Sequence, residues 1–131
     1  MNMEYDYLKG RTAAYYTLGC KLNFSETSTI GKQLAAAGVK SVSRGAQADI
    51  CVINTCSVTA VSDKKSRQML RKARRRNPDA VIAACGCYAQ THPEDVKKLA
   101  PDVLVGTNDR MKFLDLIERS AKERQPIVNV D

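Results

Sequence analysis

"DICVINTCSV", residues 49–58, decides how this chain is read. Its first six residues, "DICVIN" (49–54), form an apolar run too short for an ordinary helix and rich in β-branched side chains. Such a run suits a strand covered on both faces, the usual state of a strand inside a parallel sheet. A second run of the same kind, "AVIAAC" (80–85), follows after a helix-length segment. Upstream, "TAAYYTL" (12–18) reads as a short strand, and Asn23 with Glu26 resembles a capping box opening a helix through "SETSTIGKQLAAA", which Gly38 stops. Ser62 is placed to cap the helix after "DICVIN", whose Ser66, Met69, Leu70 and Ala73 share one face and which "NP" at Asn77 and Pro78 ends. Pro93 suits a first helical turn before "EDVKKLA", "DVLVG" (102–106) reads as the fifth strand, and "DRMKFLDLIERSAKE" as a last amphipathic helix.

This alternation predicts an α/β fold: an open, mostly parallel, five-stranded sheet with helices on both faces, of Rossmann-like or flavodoxin-like type. A chain of 131 residues with 44% hydrophobic content suits one domain, read here as residues 1–124, with "RQPIVNVD" (124–131) supplying a linker or tail over 125–131. No stretch approaches the roughly 18 apolar residues of a membrane span, and "MNMEYDYLKG" has neither the apolar core nor the cleavage site of a signal peptide. The expected partners therefore exclude a membrane, and the expected compartment is the cytoplasm. There, reducing conditions disfavour structural disulfides, and five cysteines cannot all pair within one chain.

The net charge of +7 is concentrated in one place. "KKSRQMLRKARRR" carries Lys64, Lys65, Arg67, Arg71, Lys72, Arg74, Arg75 and Arg76 with no acid, and the rest of the chain is nearly balanced. A solvated helix face accounts for such a run. So does a polyanion site, because Lys and Arg contacts to phosphates supply most of the sequence-independent affinity for nucleic acids. Few aromatics accompany the run, which argues against base stacking by it; Tyr88 is the candidate to line a pocket instead.

Ligands of open α/β sheets bind beyond the carboxyl ends of the strands. That rule sorts the cysteines. Cys20 in "TLGCKLN", Cys56 in "NTCSV" and Cys87 in "CGCYAQ" each follow a strand and are expected at one edge, whereas Cys51 and Cys85 lie inside apolar runs as small buried hydrophobes. Gly19 and Gly86 each precede an edge cysteine and would allow close approach of the backbone to a bulky group. Three thiolates fit a soft-metal site with one open position, such as a [4Fe–4S] cluster. The absence of any CxxC argues against structural zinc, while ordinary half-buried cysteines, or a thiol pair of Cys85 and Cys87, stay open on spacing alone. His92, before Pro93, reads as a surface or capping residue, and Asn23 and Asn54 as groups that bond a cluster or hold turns.

Taken together, "YTLGCKLNFSET", "VINTCSVTAVSDKKSRQMLRKARRRNP", "GCYAQTHPE" and "VLVGTNDR" resemble the amino-terminal domain of the radical S-adenosylmethionine methylthiotransferases over about residues 12–118. "GCKLN" and "SDKKSRQ" look most like the branch acting on threonylcarbamoyladenosine beside the tRNA anticodon, ahead of the isopentenyladenosine and ribosomal-protein branches. The resemblance implies a transferase whose auxiliary [4Fe–4S] cluster is held by Cys20, Cys56 and Cys87, with the anticodon arm of tRNA as partner of the basic helix through Lys64, Lys65, Arg67, Arg71, Arg74, Arg75 and Arg76. The S-adenosylmethionine and second [4Fe–4S] cluster of such enzymes require a CxxxCxxC motif that these residues lack. The radical domain and a carboxyl-terminal RNA-binding module are therefore expected outside this chain, which alone is expected to be inactive. A non-catalytic α/β module binding an anion through the basic helix is the alternative.

Overall fold

The computed structural model describes residues 7–18, 21–43, 46–56, 60–105, 113–123 and 125–129, with the backbone alone for Lys21, Leu22, Cys87 and Asn129. The elements run β1 (Thr12–Thr17), α1 (Lys21–Ala36), β2 (Lys40–Ser41), β3 (Ile50–Thr55), α2 (Ala60–Arg76), β4 (Val81–Gly86), α3 (Cys87–Thr91), α4 (Pro93–Lys97), β5 (Val103–Val105), α5 (Phe113–Glu123) and β6 (Ile127–Asn129). They form one six-stranded sheet in the order β2-β1-β3-β4-β5-β6, and every pairing is parallel.

The apolar runs become the centre of the sheet because all six positions of β3 and of β4 are buried. Alternation along each strand divides the core in two. Ile50, Val52, Val81 and Ala83 join Ile30 and Leu34 of α1 and Phe113 and Ile117 of α5 on one face. Cys51, Ile53, Ile82 and Ala84 meet Met69, Leu70 and Ala73 of α2, Tyr88 of α3 and Val96 of α4 on the other. Parallel strands need such covering on both sides, and the chain supplies it with the helices between them.

Four local expectations are corrected. The sheet has six strands rather than five: Lys40–Ser41 and Ile127–Asn129 add short strands at its two edges. The segment read as a loose tail thus contributes β6, whose Ile127 N–H donates to Asp102 O at 2.9 Å. Asn23 is no cap, since α1 already runs at Lys21; its side chain reaches back across the β1–α1 turn instead. Ser62 likewise lies inside α2, which is helical from Ala60. The stops hold as expected: Gly38 takes φ +98°, and Asn77 donates from both its N–H and its Nδ2 to Ala73 O after the last turn of α2. Gly106, Asn108 and Gly19 lie outside the described residues. Among the described residues no helix is long and apolar enough to cross a membrane.

Candidate metal centre and cationic helix

β1 and β3 are neighbours, yet the chain leaves β1 through α1 on one face and leaves β3 through α2 on the other. The crevice beyond their carboxyl ends is the switch point at which open α/β sheets take ligands. Register brings the strand ends that precede Cys56 and Cys87 side by side there. Thr17 pairs with Asn54, and Thr55 pairs with Gly86. Cys56 and Cys87 are therefore the next residues after a matched pair on adjacent strands, and Cys20 comes three residues after Thr17 on the other neighbour of β3. Cys20 itself and the side chain of Cys87 lie outside the described residues.

Side-chain amides and hydroxyls staple these strand ends together. Asn23 Nδ2 donates to Leu18 O at 2.6 Å and to Thr55 O at 3.2 Å, and Asn54 Nδ2 donates to Asn23 O at 2.9 Å. Thr55 Oγ1 donates to Cys85 O at 2.6 Å and accepts from Ala89 N at 3.1 Å, tying β3 to β4 and α3. Cys56 is buried, and Ser66 of α2 grips its backbone from both sides: Cys56 N–H donates to Ser66 Oγ, and the Ser66 hydroxyl donates to Cys56 O, each at 3.1 Å. The Ser66 position that the helical pattern marked as core is thus a polar clamp on a candidate ligand.

Gly86 carries the sharpest backbone constraint at this edge. Its φ is +100°, and a Cβ there would meet Thr55 O, Asn54 Oδ1 at 2.5 Å and Thr55 N at 2.7 Å. Only glycine lets the end of β4 approach β3 this closely before the chain turns into α3. Asn54 Oδ1, fully buried at the same edge, has no hydrogen-bond partner among the described residues. A buried acceptor left open costs about 1–3 kcal/mol, so a donor reaching Asn54 Oδ1 would stabilise this edge.

The donor set fits an iron–sulfur group in kind, since thiols following three adjacent strands are soft ligands. Among the described residues no three His, Cys, Asp or Glu side chains gather, and of the three edge cysteines only Cys56 has a described side chain. Cys51 and Cys85 are buried in mid-strand, as their apolar runs require. Burial pushes the Cys51 thiol up to about 11 against the opposing field of Arg74, so it stays protonated and inert at neutral pH.

The structure divides the cations of α2. Lys64, Lys65, Arg71, Lys72, Arg75 and Arg76 are exposed. Arg74 is half-buried and engaged: it donates to Asp102 at 2.6 Å and to the carbonyls of Pro78 and Ala80 at 3.1 and 2.9 Å, joining α2 to the starts of β4 and β5. Arg67 donates to Tyr88 Oη at 2.9 Å, and this bond is the first cause holding its guanidinium above the ordinary pKa. Tyr88 is fully buried against α2 rather than lining an open pocket, with its ring stacked on His92 at 4.9 Å between centroids. His92 is exposed and makes no side-chain cap for α4; its Nδ1 lies 2.8 Å from Thr91 Oγ1. Sequence periodicity could not have separated Arg67 and Arg74 from the other cations, because their partners lie 21 and 28 residues away.

A family model described as an uncharacterized protein family, UPF0004, matches residues 12–106. The chain is 48% identical over 120 residues to a threonylcarbamoyladenosine tRNA methylthiotransferase of Bacillus subtilis, covering 91% of this chain and 27% of that protein. The corresponding enzyme of Aquifex aeolicus is 39% identical over 118 residues, covering 89% of this chain and 29% of its own length. A tRNA-2-methylthio-N(6)-dimethylallyladenosine synthase of Mycobacterium bovis is 33% identical over 125 residues, covering 92% and 24%. The chain thus spans about a quarter of the length of these curated relatives.

Proposed function

The chain belongs to the UPF0004 family, and on that premise we propose that it is the auxiliary cluster-binding domain of a cytoplasmic tRNA methylthiotransferase. The threonylcarbamoyladenosine branch is favoured over the dimethylallyladenosine branch by identity of 48% against 33%. The substrate position is then C2 of N6-threonylcarbamoyladenosine, which receives a methylthio group. One observation carries the reading: the register that puts Cys56 and Cys87 directly after the matched pair Thr55 and Gly86, beside the strand that leads to Cys20.

Cys20, Cys56 and Cys87 would hold a [4Fe–4S] group as thiolates. When bound, that group supplies an iron with one position free of protein ligands, at which sulfur can be held for transfer. The chain's own residues do the rest of the positioning. Ser66 fixes the backbone of Cys56, and Asn23, Asn54 and Thr55 fix the strand ends from which the ligands depart. Lys64, Lys65, Arg71, Arg75 and Arg76 are free to meet phosphates of the anticodon arm, whereas Arg67 and Arg74 serve by holding α2 in place. The S-adenosylmethionine and second [4Fe–4S] cluster belong to a radical domain whose CxxxCxxC motif does not occur in these residues, so the 131-residue chain alone does not catalyse.

Anaerobic iron–sulfur reconstitution of the 131-residue chain tests this. The wild type should take up about four irons per chain. Serine at Cys20, Cys56 or Cys87 should lower iron content and bleach the charge-transfer absorbance, while Cys51→Ala and Cys85→Ala should leave both intact. Equal behaviour of all five variants removes the assignment.

A further inference from the structure

The exposed cations of α2 do not form an even stripe. Lys65, Gln68 and Lys72, spaced three and four residues apart, stand on one ridge of the helix and turn toward the carboxyl end of β1. With Leu18 and Met69 they line a cavity of about 220 Å³, and among the described residues no acidic side chain lines it. Neither lysine has an ion-pair or hydrogen-bond partner among the described residues, in contrast to Arg67 and Arg74. The cavity is also fixed to the candidate metal centre through its own lining. Lys65 adjoins Ser66, the clamp on Cys56, and Leu18 donates from its N–H to Asn54 O at 3.0 Å and accepts from Asn23 Nδ2.

We propose that the cavity between Leu18, Lys65, Gln68 and Lys72 is a phosphate-binding subsite that takes one backbone phosphate of the RNA substrate. This rests on the tRNA reading given above and adds a location to it. Two ammonium groups supply charge, Gln68 supplies a neutral amide donor, and the apolar floor of Leu18 and Met69 excludes competing water from one side. Because its walls belong to the elements that hold Cys56 and lead to Cys20, a phosphate seated there would register the RNA strand against the sulfur-bearing edge. The other exposed cations of α2 would contribute affinity without register.

Binding of a synthetic RNA stem–loop of anticodon-arm size to the 131-residue chain, followed across a salt series, distinguishes the possibilities. K65Q/K72Q should lower affinity about tenfold at low salt and flatten the slope of log K against log salt by roughly 0.7 to 1.4. K64Q/R71Q, which removes the same charge from the outward middle of the exposed face, opposite Ser66, Met69, Leu70 and Ala73, should lose distinctly less. Gln68→Ala, which changes no charge, should weaken binding without altering the slope. Equal losses in the two double variants would overturn the subsite while leaving the tRNA reading standing. Failure of the wild type to bind the stem–loop at all would end both. All variants concern exposed side chains, so unchanged circular dichroism should accompany each.

Discussion

The two ends of the sheet are finished differently. At the amino end three polar groups are satisfied within the fold: Asp49 accepts from Thr12 N and Oγ1 at 3.0 and 3.2 Å, Asn77 Oδ1 accepts from Ala48 N at 2.9 Å, and Asp102 accepts from Ile82 N and Arg74. At the carboxyl end the strand tips are tied just as firmly, but Asn54 Oδ1 is left open among the described residues and Gly86 holds a backbone angle that other residues avoid. The amino end has the chemistry of a closed structural junction. The carboxyl end combines rigidity with a buried acceptor left open among the described residues, the combination that the proposed site would use.

The comparison breaks most visibly at Gly86. Gly86→Ala forces a Cβ against Thr55 and Asn54 and adds backbone strain, together about 3–5 kcal/mol of lost stability. Urea denaturation should show it as a large drop in midpoint or as failure to fold; a loss below about 1 kcal/mol would mean that the close approach of β3 and β4 is not required. Two buried polar residues then separate the ends. Ser66→Ala and Asn77→Ala each strand hydrogen-bonding groups at about 1–3 kcal/mol, yet only Ser66→Ala should also lower the iron retained after reconstitution, because only Ser66 touches Cys56. Matching iron contents in the two variants would erase the functional distinction between the edges.

The smallest effect belongs to neither edge. Cys51, in mid-strand, ionises only at about 11 in the folded state, above its unfolded value, so the native state retains a proton that the unfolded chain releases. Its contribution is complete below the unfolded pKa and is lost as pH rises from about 9 to about 11, with a slope of up to about 1.4 kcal/mol per pH unit. Cys51→Ala should lower stability throughout but show a shallower alkaline decline than the wild type. Identical slopes would show that burial does not hold this thiol protonated.

Much of the fold was legible because its signals are local. β3, β4 and the buried face of α2 at Ser66, Met69, Leu70 and Ala73 follow from hydrophobic runs and helical spacing. The edge strands were not, since β2 has two residues and β6 three, too few for a period to show. Caps failed for a related reason. Asn23 and Ser62 have the composition of helix starts, but Asn23 is recruited by Leu18 O and Thr55 O, the latter 32 residues away, and α2 begins upstream of Ser62.

By itself, then, the sequence determined the alternation of strands and helices, the division of the five cysteines into two inside apolar runs and three that follow such runs, and the concentration of charge in one helix. Each of these is written in neighbouring residues. Only the tertiary structure decided which of those cations are engaged inside the fold, that Ser66 clamps Cys56, that Tyr88 is core, and that Gly86 must pass against Thr55. Those outcomes depend on partners brought together by parallel pairing from 10 to 31 residues apart, and hydrogen bonds of that range leave no periodic trace in the chain.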